Sequence, residues 1–212
     1  MNPPPNPAIY HITDARNLPG ILTTGGLWSD AQRLAQGFST VNIGHSTIKE
    51  RRLKKRVRIC QQGVLGDYVP FYFCNRSPML YAIHQGFVEG YPRGQTYIIY
   101  LQSSLQTLQS AACDWFFTDG HAVEAISDYY ADLSELNQID WPIIADRDWA
   151  NTALDNDRKR RKQAECLIHN FFRWEWVEQI GVNHQQAKDW VEQQLLQMVH
   201  RPPVMIQREW YY

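Results

Sequence analysis

The chain of 212 residues is long enough for one domain with its own core, and 44% hydrophobic against 20% charged residues exclude a disordered chain. Twenty-one Lys and Arg balance 22 Asp and Glu to a net charge of −1, so the overall charge does not indicate a polyanionic partner. The sequence has no apolar run of the ~18–20 residues that cross a bilayer and no signal-peptide pattern at its start, so we expect a cytoplasmic protein that is not bound to a membrane.

The first half of the chain alternates short strands and helices after a proline-rich arm, residues 1–7, that we expect to be flexible. Segments rich in β-branched and aromatic residues predict strands at 8–12, 67–73 and 95–101. N-cap residues, or a proline at the first helical position, predict helices at 17–22 and 77–83. The stretch between them contains an irregular segment, 33–47, and a segment that is either a basic helix or an ordered loop, 48–58.

The second half of the chain continues this alternation. Short β-prone segments predict strands at 115–117, 165–169, 174–177 and 206–212. Helices are predicted at 121–130 and 185–199. Because no repeat or linker divides the sequence, we expect a single mixed α+β domain over residues 1–212.

Familiar metal and catalytic motifs are missing from the sequence. The cysteines are scattered, without a Cys-x-x-Cys pair or the Cys/His spacing of a zinc site, which predicts reduced thiols and no metal. There is no Walker loop, no Gly-x-Gly-x-x-Gly after a strand, no Gly-x-Ser-x-Gly and no His-Glu-x-x-His. Kinases, Rossmann enzymes, α/β-hydrolases and zincins are therefore disfavoured.

Positive charge is concentrated in two runs. Residues 49–58 read KERRLKKRVR, and residues 158–162 are five bases in a row, RKRRK. One such run is most often a solvated surface. Two runs in a neutral chain favour an anionic ligand, either a nucleic acid or a phosphorylated cofactor.

Two polar residues stand in apolar surroundings. His11 lies inside the first predicted strand, where it is either a core histidine with a satisfied hydrogen bond or a donor to a sugar hydroxyl. Glu165 follows the second basic run and opens the apolar segment Cys166-Leu167-Ile168. A carboxylate there is partly desolvated, which marks either a reactive group or a salt bridge to Arg161 or Lys162.

Six segments occur in the order typical of one family. They are YHIT at 10–13 with NL at 17–18, IKERR at 48–52, DYVPFYF at 67–73, RSPMLY at 76–81, TDGHA at 118–122 and RRKQAE at 160–165. The chain therefore resembles the DarT family, the DNA ADP-ribosyltransferase toxins of bacterial toxin–antitoxin pairs. The resemblance runs from about residue 9 to the C-terminus, and the YVPFYF and RSPMLY block is its most specific part.

The resemblance implies a fold and a reaction. The implied fold is an ADP-ribosyltransferase-like split β-sandwich with flanking helices, which holds NAD+ as co-substrate and uses no metal. The implied reaction transfers ADP-ribose from NAD+ to a base in single-stranded DNA, thymidine being the most familiar acceptor, and releases nicotinamide. We expect the reaction to be a pentosyl transfer and also class the enzyme as a nucleotidyltransferase. A macrodomain antitoxin that removes the modification is the implied protein partner.

The resemblance also implies roles for individual residues. The catalytic residues would be Glu165 and an arginine at Arg52, with Arg51 as the alternative. The expected NAD+-binding residues are His11, Ile12, Thr13, Gly20, Leu27, Arg52 and Tyr72. The expected DNA-binding residues are Arg51, Lys54, Met79, His121, Arg158, Arg160 and Arg161.

Physical chemistry accounts for these implied roles. Cleavage of the nicotinamide–ribose bond develops positive charge on the ribose, which a carboxylate at Glu165 stabilises in the transition state. Tyr72 would stack on nicotinamide, or is one more core aromatic. Arg52, which stays protonated, would hold the pyrophosphate or the negative charge of the acceptor. A side chain at Gly20 would crowd the cofactor, and His121 would donate to a thymine carbonyl unless it is a plain surface histidine.

Two other functions remain open at this point. Within the enzyme class, the same NAD+ chemistry could be directed at RNA or protein. From a different class, the chain could be a nucleic-acid-binding module without catalysis. Glu165 argues against the second alternative, because a pure binder of polyanions gains nothing from an acid next to five bases.

Overall fold

The computed structural model describes residues 2–212, which form ten strands and eight α-helices. The strands are β1 (Ala8–Asp14), β2 (Gly26–Trp28), β3 (Tyr68–Tyr72), β4 (Ile98–Ser104), β5 (Trp115–Thr118), β6 (Tyr129–Tyr130), β7 (Glu165–His169), β8 (Phe171–Arg173), β9 (Gln179–Val182) and β10 (Val204–Ile206). The helices are α1 (Leu18–Thr23), α2 (Asp30–Ala35), α3 (Ser46–Arg52), α4 (Pro78–His84), α5 (Leu105–Ser110), α6 (Trp141–Ala145), α7 (Arg158–Arg161) and α8 (Gln185–Leu195).

Eight strands form one sheet in the order β10-β9-β4-β1-β3-β7-β5-β6, and β2 and β8 form a second, small sheet. All neighbours are antiparallel except β10 and β9, which run parallel. β1 pairs with β4 along its whole length but with β3 only between Tyr10 and Tyr72. The sheet is therefore split at this point into two halves, and the predicted α+β split sandwich is confirmed.

The central strand of the second half explains why Glu165 is buried. β7 lies between β3 and β5, and Cys166, Leu167 and Ile168 are all fully buried because both faces of the strand are covered. Cys166 and Ile168 pack into the largest hydrophobic cluster, whereas Leu167 faces a separate one. The first residue of this strand, Glu165, consequently enters a region from which water is excluded.

Several predicted elements are confirmed with small changes in their ends. Ser77 caps α4 by accepting a hydrogen bond from Leu80 N at 3.2 Å, with Pro78 as first helical residue. The helix predicted at 185–199 is α8, which ends at Leu195 and is capped by the His184 side chain. The basic segment 48–58 is helical only at its start, where α3 ends at Arg52. Of the irregular segment 33–47, residues 33–35 belong to α2.

The helix predicted at 121–130 is wrong. The segment turns and ends in β6, because its polar groups bond outside a helical ladder: His121 N donates to the Arg160 carbonyl at 3.0 Å. The Tyr129 hydroxyl also donates to the Ala122 carbonyl at 2.7 Å. Tertiary contacts override the local helix signal here.

Two predicted aromatic strands are also wrong, at least in part. Residues 174–176 form a 3-10 turn in which the buried Trp174 indole donates to the His200 carbonyl at 3.0 Å, while the strand β8 lies just before it. At the C-terminus, β10 ends at Ile206 and a second 3-10 turn contains the buried Trp210. The burial of these large indoles decides the backbone more strongly than β-propensity.

The N-terminal arm is attached to the fold at one end. Pro7 is buried, and its carbonyl accepts a hydrogen bond from Leu105 N at 3.1 Å. None of the helices within residues 2–212 combines the length and apolar character needed to cross a bilayer.

Candidate active site

A cleft of about 890 Å³ opens where β1 and β3 diverge. This volume lies in the range of sites that enclose cofactors and small ligands. Its walls come from β1, α1, α3, the segment 38–45 and the loops that precede β7. Twelve of the predicted site residues line it: His11, Ile12, Thr13, Gly20, Leu27, Arg51, Arg52, Tyr72, Met79, His121, Arg160 and Glu165.

The floor of the cleft contains a buried ion pair between Glu165 and Arg52. Arg52 Nη1 donates to Glu165 Oε2 at 2.8 Å, and the two side chains are 8% and 1% exposed. Glu165 does not contact Arg161 or Lys162, the partners considered from the sequence. Lys162 Nζ donates instead to the carbonyls of Ile144 and Asp146 at the end of α6.

The second carboxylate oxygen of Glu165 is fixed by backbone. Ala122 N donates to Glu165 Oε1 at 2.9 Å. Glu165 N in turn donates to Thr118 Oγ1 at 3.2 Å, so the strand start and the side chain are both held. His121 Nε2 lies 3.9 Å from Glu165 Oε1, beyond direct hydrogen-bond distance.

Arg52 keeps one donor group without a partner. Its Nη2 is buried and makes no hydrogen bond within residues 2–212. Burial opposes the positive charge, but the Glu165 carboxylate outweighs it and raises the pKa of Arg52. Arg51, the alternative considered from the sequence, is exposed and donates to Glu124 and to the Val123 carbonyl. The arginine that contacts Glu165 is therefore Arg52.

His11 presents an acceptor, and not the donor expected from the sequence. Its Nδ1 lies 2.8 Å from the Pro70 carbonyl, which can only accept, so Nδ1 carries the proton. Burial lowers the pKa of His11 below 6.5, and the Asp30 carboxylate, which acts in the opposite direction, does not offset this. The ring is consequently neutral near pH 7, and Nε2 has a free lone pair.

Tyr72 and Met79 stand together on the β3 and α4 side of the cleft. Tyr72 is half-buried and pairs across the sheet with Glu165 on one side and Tyr10 on the other. Its hydroxyl donates to Met79 Sδ at 3.8 Å. Burial, and then the charge of Glu165, raise the pKa of Tyr72 well above 10, so the hydroxyl remains protonated.

The remaining predicted NAD+-binding residues form the opposite wall. Thr13 is buried, and its Oγ1 accepts from Asn17 Nδ2 at 3.0 Å. A Cβ at Gly20 would meet no protein atom within 4 Å, so protein packing does not require a glycine there. Leu27 is buried in β2 beneath the same wall.

The arginines of the second basic run are paired with carboxylates. Arg158 bonds Asp146, Arg160 bonds Asp119 and Asp157, and Arg161 bonds Asp140 and Asp155. Arg158 and Arg161 do not line the cleft, and neither does the exposed Lys54. Contact of these residues with DNA stays a prediction, and the charges of Arg158 and Arg161 are compensated by carboxylates of the protein. Lys159 has no ion pair within residues 2–212 and does line the cleft.

Two cleft residues were missed by sequence reasoning. Asn17 holds the segment 38–45, because its Nδ2 donates to the Val41 carbonyl at 3.0 Å and its Oδ1 accepts from Val41 N at 2.7 Å. Asp30 forms ion pairs with Arg33 and Lys49. Burial opposes the Asp30 charge, but Lys49 and Arg33 outweigh it and lower the pKa of Asp30. The family motif at 17–18 includes Asn17 and was the signal that pointed to it, but the motif does not reveal the contact with Val41.

Residues 2–212 contain no group of three or more His, Cys, Asp and Glu placed to hold a metal. The cleft contains instead the ion pairs Glu165–Arg52 and Asp30–Lys49, and burial lowers the pKa of two of its histidines, His11 and His121. Such a set suits a charged organic ligand and the stabilisation of developing charge.

Comparison with solved structures defines the class of this fold and site. The structure "Thermus sp. 2.9 DarT in complex with ADP-ribosylated ssDNA" matches with a TM-score of 0.93 and 39% identity, over 100% of this chain and 99% of that chain. "Thermus sp. 2.9 DarT in complex with NAD+" matches with a TM-score of 0.89 and 38% identity, over 100% of both chains. The split sheet and its cleft are those of a DNA ADP-ribosyltransferase.

Sequence comparison then gives the family. The family model described as "DarT: ssDNA thymidine ADP-ribosyltransferase, DarT" matches residues 10–212. A curated relative from Thermus sp. (strain 2.9), a DNA ADP-ribosyl transferase, is 42% identical over 212 residues, which are 99% of this chain and 98% of the relative. The chain belongs to the DarT family, and the resemblance inferred from its sequence motifs is confirmed.

Proposed function

We propose that this protein transfers ADP-ribose from NAD+ to a thymidine base in single-stranded DNA and releases nicotinamide. The observation that carries the proposal is the ion pair of Glu165 with Arg52, only 1% and 8% exposed, at the floor of a cleft large enough for a dinucleotide. Family membership supports the substrates: similar solved chains are described in complex with NAD+ and with ADP-ribosylated single-stranded DNA.

The free edge of β1 offers a seat for NAD+. Beyond Tyr10 this strand has no residue pair with β3 within residues 2–212, and Ile12 lines the cleft at this point. His11 Nε2 accepts a ribose hydroxyl in this arrangement, and Thr13 shapes the wall. The open space above Gly20 leaves room for the cofactor, whose adenosine part packs towards Leu27.

Tyr72 supports stacking of the nicotinamide ring. It is half-buried at the split between β1 and β3, with its hydroxyl turned to Met79. A ring stacked on it gains about 1 kcal/mol beyond the burial of area. The alternative, a plain core aromatic, is disfavoured by its position on the cleft wall.

Cleavage of the bond between C1′ of the ribose and nicotinamide nitrogen is the step that Glu165 promotes. The bonding electrons leave with nicotinamide, and positive charge develops on the ribose C1′ and ring oxygen. The Glu165 carboxylate, held by Arg52 Nη1 and Ala122 N, stabilises this charge more in the transition state than in the ground state. Both phosphates stay on the transferred group, so the label nucleotidyltransferase is wrong and the reaction is pentosyl transfer.

Arg52 acts as a fixed cation and not as a general base. Its raised pKa keeps the guanidinium protonated, and its buried Nη2 is the donor available to substrate. This group can hold the pyrophosphate or a negative charge that develops on the thymine as it attacks C1′. The thymine nitrogen that bonds to C1′ gives up its proton, and the Glu165 carboxylate is the acceptor beside the reacting atoms.

The acceptor base enters from the side of the cleft formed by Met79 and His121. Met79 offers a polarizable apolar surface for a base, and His121 Nε2 lies 3.9 Å from Glu165 Oε1. Burial lowers the pKa of His121, so its N–H remains a neutral donor to a thymine carbonyl. Lys159, which has no ion pair within residues 2–212, is the cleft cation best placed for a DNA phosphate, and Arg51 lies in the same cleft while paired with Glu124. Such contacts add affinity without sequence choice.

A macrodomain antitoxin that removes ADP-ribose from DNA is the protein partner that we propose. Its support is family membership alone, because a DarT enzyme that modifies DNA requires a means of reversal in the cell that makes it.

Mass spectrometry of oligonucleotides tests the proposed function. Purified protein is incubated with NAD+ and separate thymidine-, guanosine- and cytidine-containing single strands, with RNA and a bystander protein in parallel. We expect a gain of one ADP-ribose on the thymidine strand. Modification of RNA or protein only would move the acceptor to another class, and salt-sensitive binding without nicotinamide release would indicate a binding module.

A further inference from the structure

We propose that Arg160 is a positioning residue that clasps residues 119–128, here called the acceptor loop, against Glu165. The inference deepens the proposed transfer reaction and rests on it. It replaces the expected contact of Arg160 with a DNA phosphate by a contact inside the protein.

The guanidinium of Arg160 is saturated by two segments of the chain. Its Nε and Nη2 donate to both carboxylate oxygens of Asp157 at 2.8 and 2.7 Å. Its Nη1 donates to Asp119 Oδ2 at 2.9 Å and to Ser127 Oγ at 3.1 Å. Four of its five N–H groups are thus used, and the side chain is 12% exposed. Little of this cation remains for a phosphate.

The contacts of Arg160 close the acceptor loop at both ends. Asp119, at the start of the loop, also accepts from Asp128 N at 2.9 Å. Ser127, near its end, donates to the His121 carbonyl at 2.8 Å. The backbone of Arg160 joins in, since its carbonyl accepts from His121 N at 3.0 Å. The side chain and backbone of one residue therefore hold the start of the loop, at Asp119 and His121, and its end, at Ser127.

The held loop supplies a contact to the catalytic carboxylate. Ala122 N, next to His121, donates to Glu165 Oε1 at 2.9 Å. A loop that drifts by about 1 Å loses this bond and moves His121 relative to the acceptor base, and displacements of that size cost on the order of 100-fold in rate. The clasp therefore acts on transfer through Glu165 and His121 and not on NAD+ itself.

Gly120 provides independent support for a close approach. A Cβ at this position would lie 2.3 Å from Arg160 Nη1 and 3.0 Å from Arg160 Cγ. The guanidinium cannot step aside cheaply, because Asp119 and Asp157 pin it on both sides. The acceptor loop thus has a glycine at the position where the Arg160 side chain packs against the loop backbone.

The first experiment distinguishes a clasp from a phosphate contact by removing a carboxylate partner of Arg160 and keeping the arginine itself. Asp119→Ala removes one of the two carboxylates that hold Arg160 and leaves the charge of Arg160 unchanged. The clasp predicts a fall in turnover of about 10–100-fold on a thymidine oligonucleotide, with the Kd for NAD+ unchanged. A phosphate contact predicts the opposite, namely tighter binding of DNA and unimpaired turnover, because the cation has lost its competitor.

Arg160→Ala is compared with Arg201→Ala, a matched loss of one exposed arginine outside the cleft. The clasp predicts reduced turnover for Arg160→Ala with an unchanged slope of log Kd for DNA against log salt, and no effect of Arg201→Ala. A slope reduced by about 0.7 for Arg160→Ala, the value for one lost phosphate on a single strand, would overturn the proposal.

A double-mutant cycle keeps the test decisive if Arg160→Ala is unstable. Gly120→Ala alone is expected to reduce turnover like Arg160→Ala, because the new methyl group displaces the guanidinium. In the Arg160→Ala background, Gly120→Ala is expected to add little, since the atom it collides with is gone. If the losses in turnover of the two single variants add up in the double variant, the clasp is contradicted.

The clasp and the proposed function fail in different ways. Wild-type protein that does not modify DNA would contradict the proposed function. An active wild type together with fully active variants would contradict only the clasp.

Discussion

At the scale of single residues, the carboxylate of Glu165 is held more tightly than a structural salt bridge requires. Both of its oxygens accept a bond, one from Arg52 Nη1 and one from Ala122 N. A buried ion pair adds little to stability by itself, because desolvation offsets much of the attraction. Its fixed orientation towards the cleft is instead what transition-state stabilisation needs.

Glu165→Gln is expected to lower transfer on the order of 100-fold or more, because the amide keeps the shape but not the negative charge. Its oxygen can still accept from Arg52, so NAD+ and DNA binding are expected to stay within a few-fold. Single-turnover release of nicotinamide measures the first effect, and equilibrium titrations measure the second. Glu175→Gln, at an exposed position in a 3-10 turn, is the matched control. Near-normal turnover of Glu165→Gln would refute the assigned role.

His11 gives NAD+ affinity a defined pH dependence. Burial, and the nearby cations Lys49 and Arg52, lower its pKa below 6.5, while the Pro70 carbonyl and Asp30 raise it. Nε2 accepts only when the ring is neutral, so affinity is expected to be constant above pH 6.5 and to fall below it, once the lowered pKa is crossed. Asp30 stays ionised there because its own pKa is lowered from 3.8. Calorimetric titrations of NAD+ binding from pH 5 to 8 measure this dependence. If the affinity of His11→Asn falls at low pH as much as that of the wild type, the fall belongs to another titrating group.

At the scale of elements, Asn17 connects helix α1 to the segment 38–45, which forms one wall of the cleft. Asn17→Asp replaces the Nδ2 donor by an oxygen that faces the Val41 carbonyl. We expect the KM for NAD+ to rise about tenfold, the effect of about 1.4 kcal/mol, with a smaller change in kcat. Asn137→Asp, the same change at an exposed site, is the control. A fall in kcat with KM unchanged would contradict this role.

Helix α7 and its loop carry the second basic run, and its charges are not equivalent. Arg158 and Arg161 are compensated by carboxylates, so Ala at both positions is expected to leave the salt slope of DNA binding unchanged. Lys159 is exposed at the cleft rim. We expect Lys159→Ala to lower the slope of log Kd for DNA against log salt by about 0.7. Filter-binding across a salt series measures both slopes. A reduced slope in the double variant only would restore the arginines as phosphate contacts.

Sequence patterns predicted the elements whose local signals agree with their packing. Strand β3 and helix α4 lie where the YVPFYF and RSPMLY motifs place them, and the Ser77 cap fixes the helix start. The patterns failed where long-range bonds replace local ones. The backbone around His121 bonds to Arg160, and the Trp174 indole bonds to His200, neither of which a local window contains.

At the scale of the whole molecule, the site is assembled from residues far apart in sequence. Arg52 and Glu165 are separated by 113 positions and meet because α3 packs on the 3-10 turn before β3, which in turn pairs with β7. The family motifs supplied both residues, but the choice between Arg51 and Arg52 depends on the rotation of α3, which spacing does not give. The carboxylate partners of the basic run could not be predicted from the sequence either, because Asp119 and Asp140 come from other loops.

The split of the sheet links the fold to the chemistry. β1 pairs with β3 only through Tyr10 and Tyr72, and Tyr72 pairs in turn with Glu165 at the start of β7. The cleft that begins where β1 leaves β3 is lined by this carboxylate. The divergence of these two strands thus places the ligand-sized space and the reactive group side by side.

A crystal structure with bound NAD+ would show whether Glu165 meets the ribose. We expect the nicotinamide ribose over the gap between β1 and β3, with a hydroxyl or the ring edge of the ribose within hydrogen-bond or van der Waals distance of the Glu165 carboxylate. We also expect the bond from Arg52 to Glu165 to be intact. A ribose bound away from Glu165, with this carboxylate still enclosed by protein alone, would contradict the role assigned to Glu165.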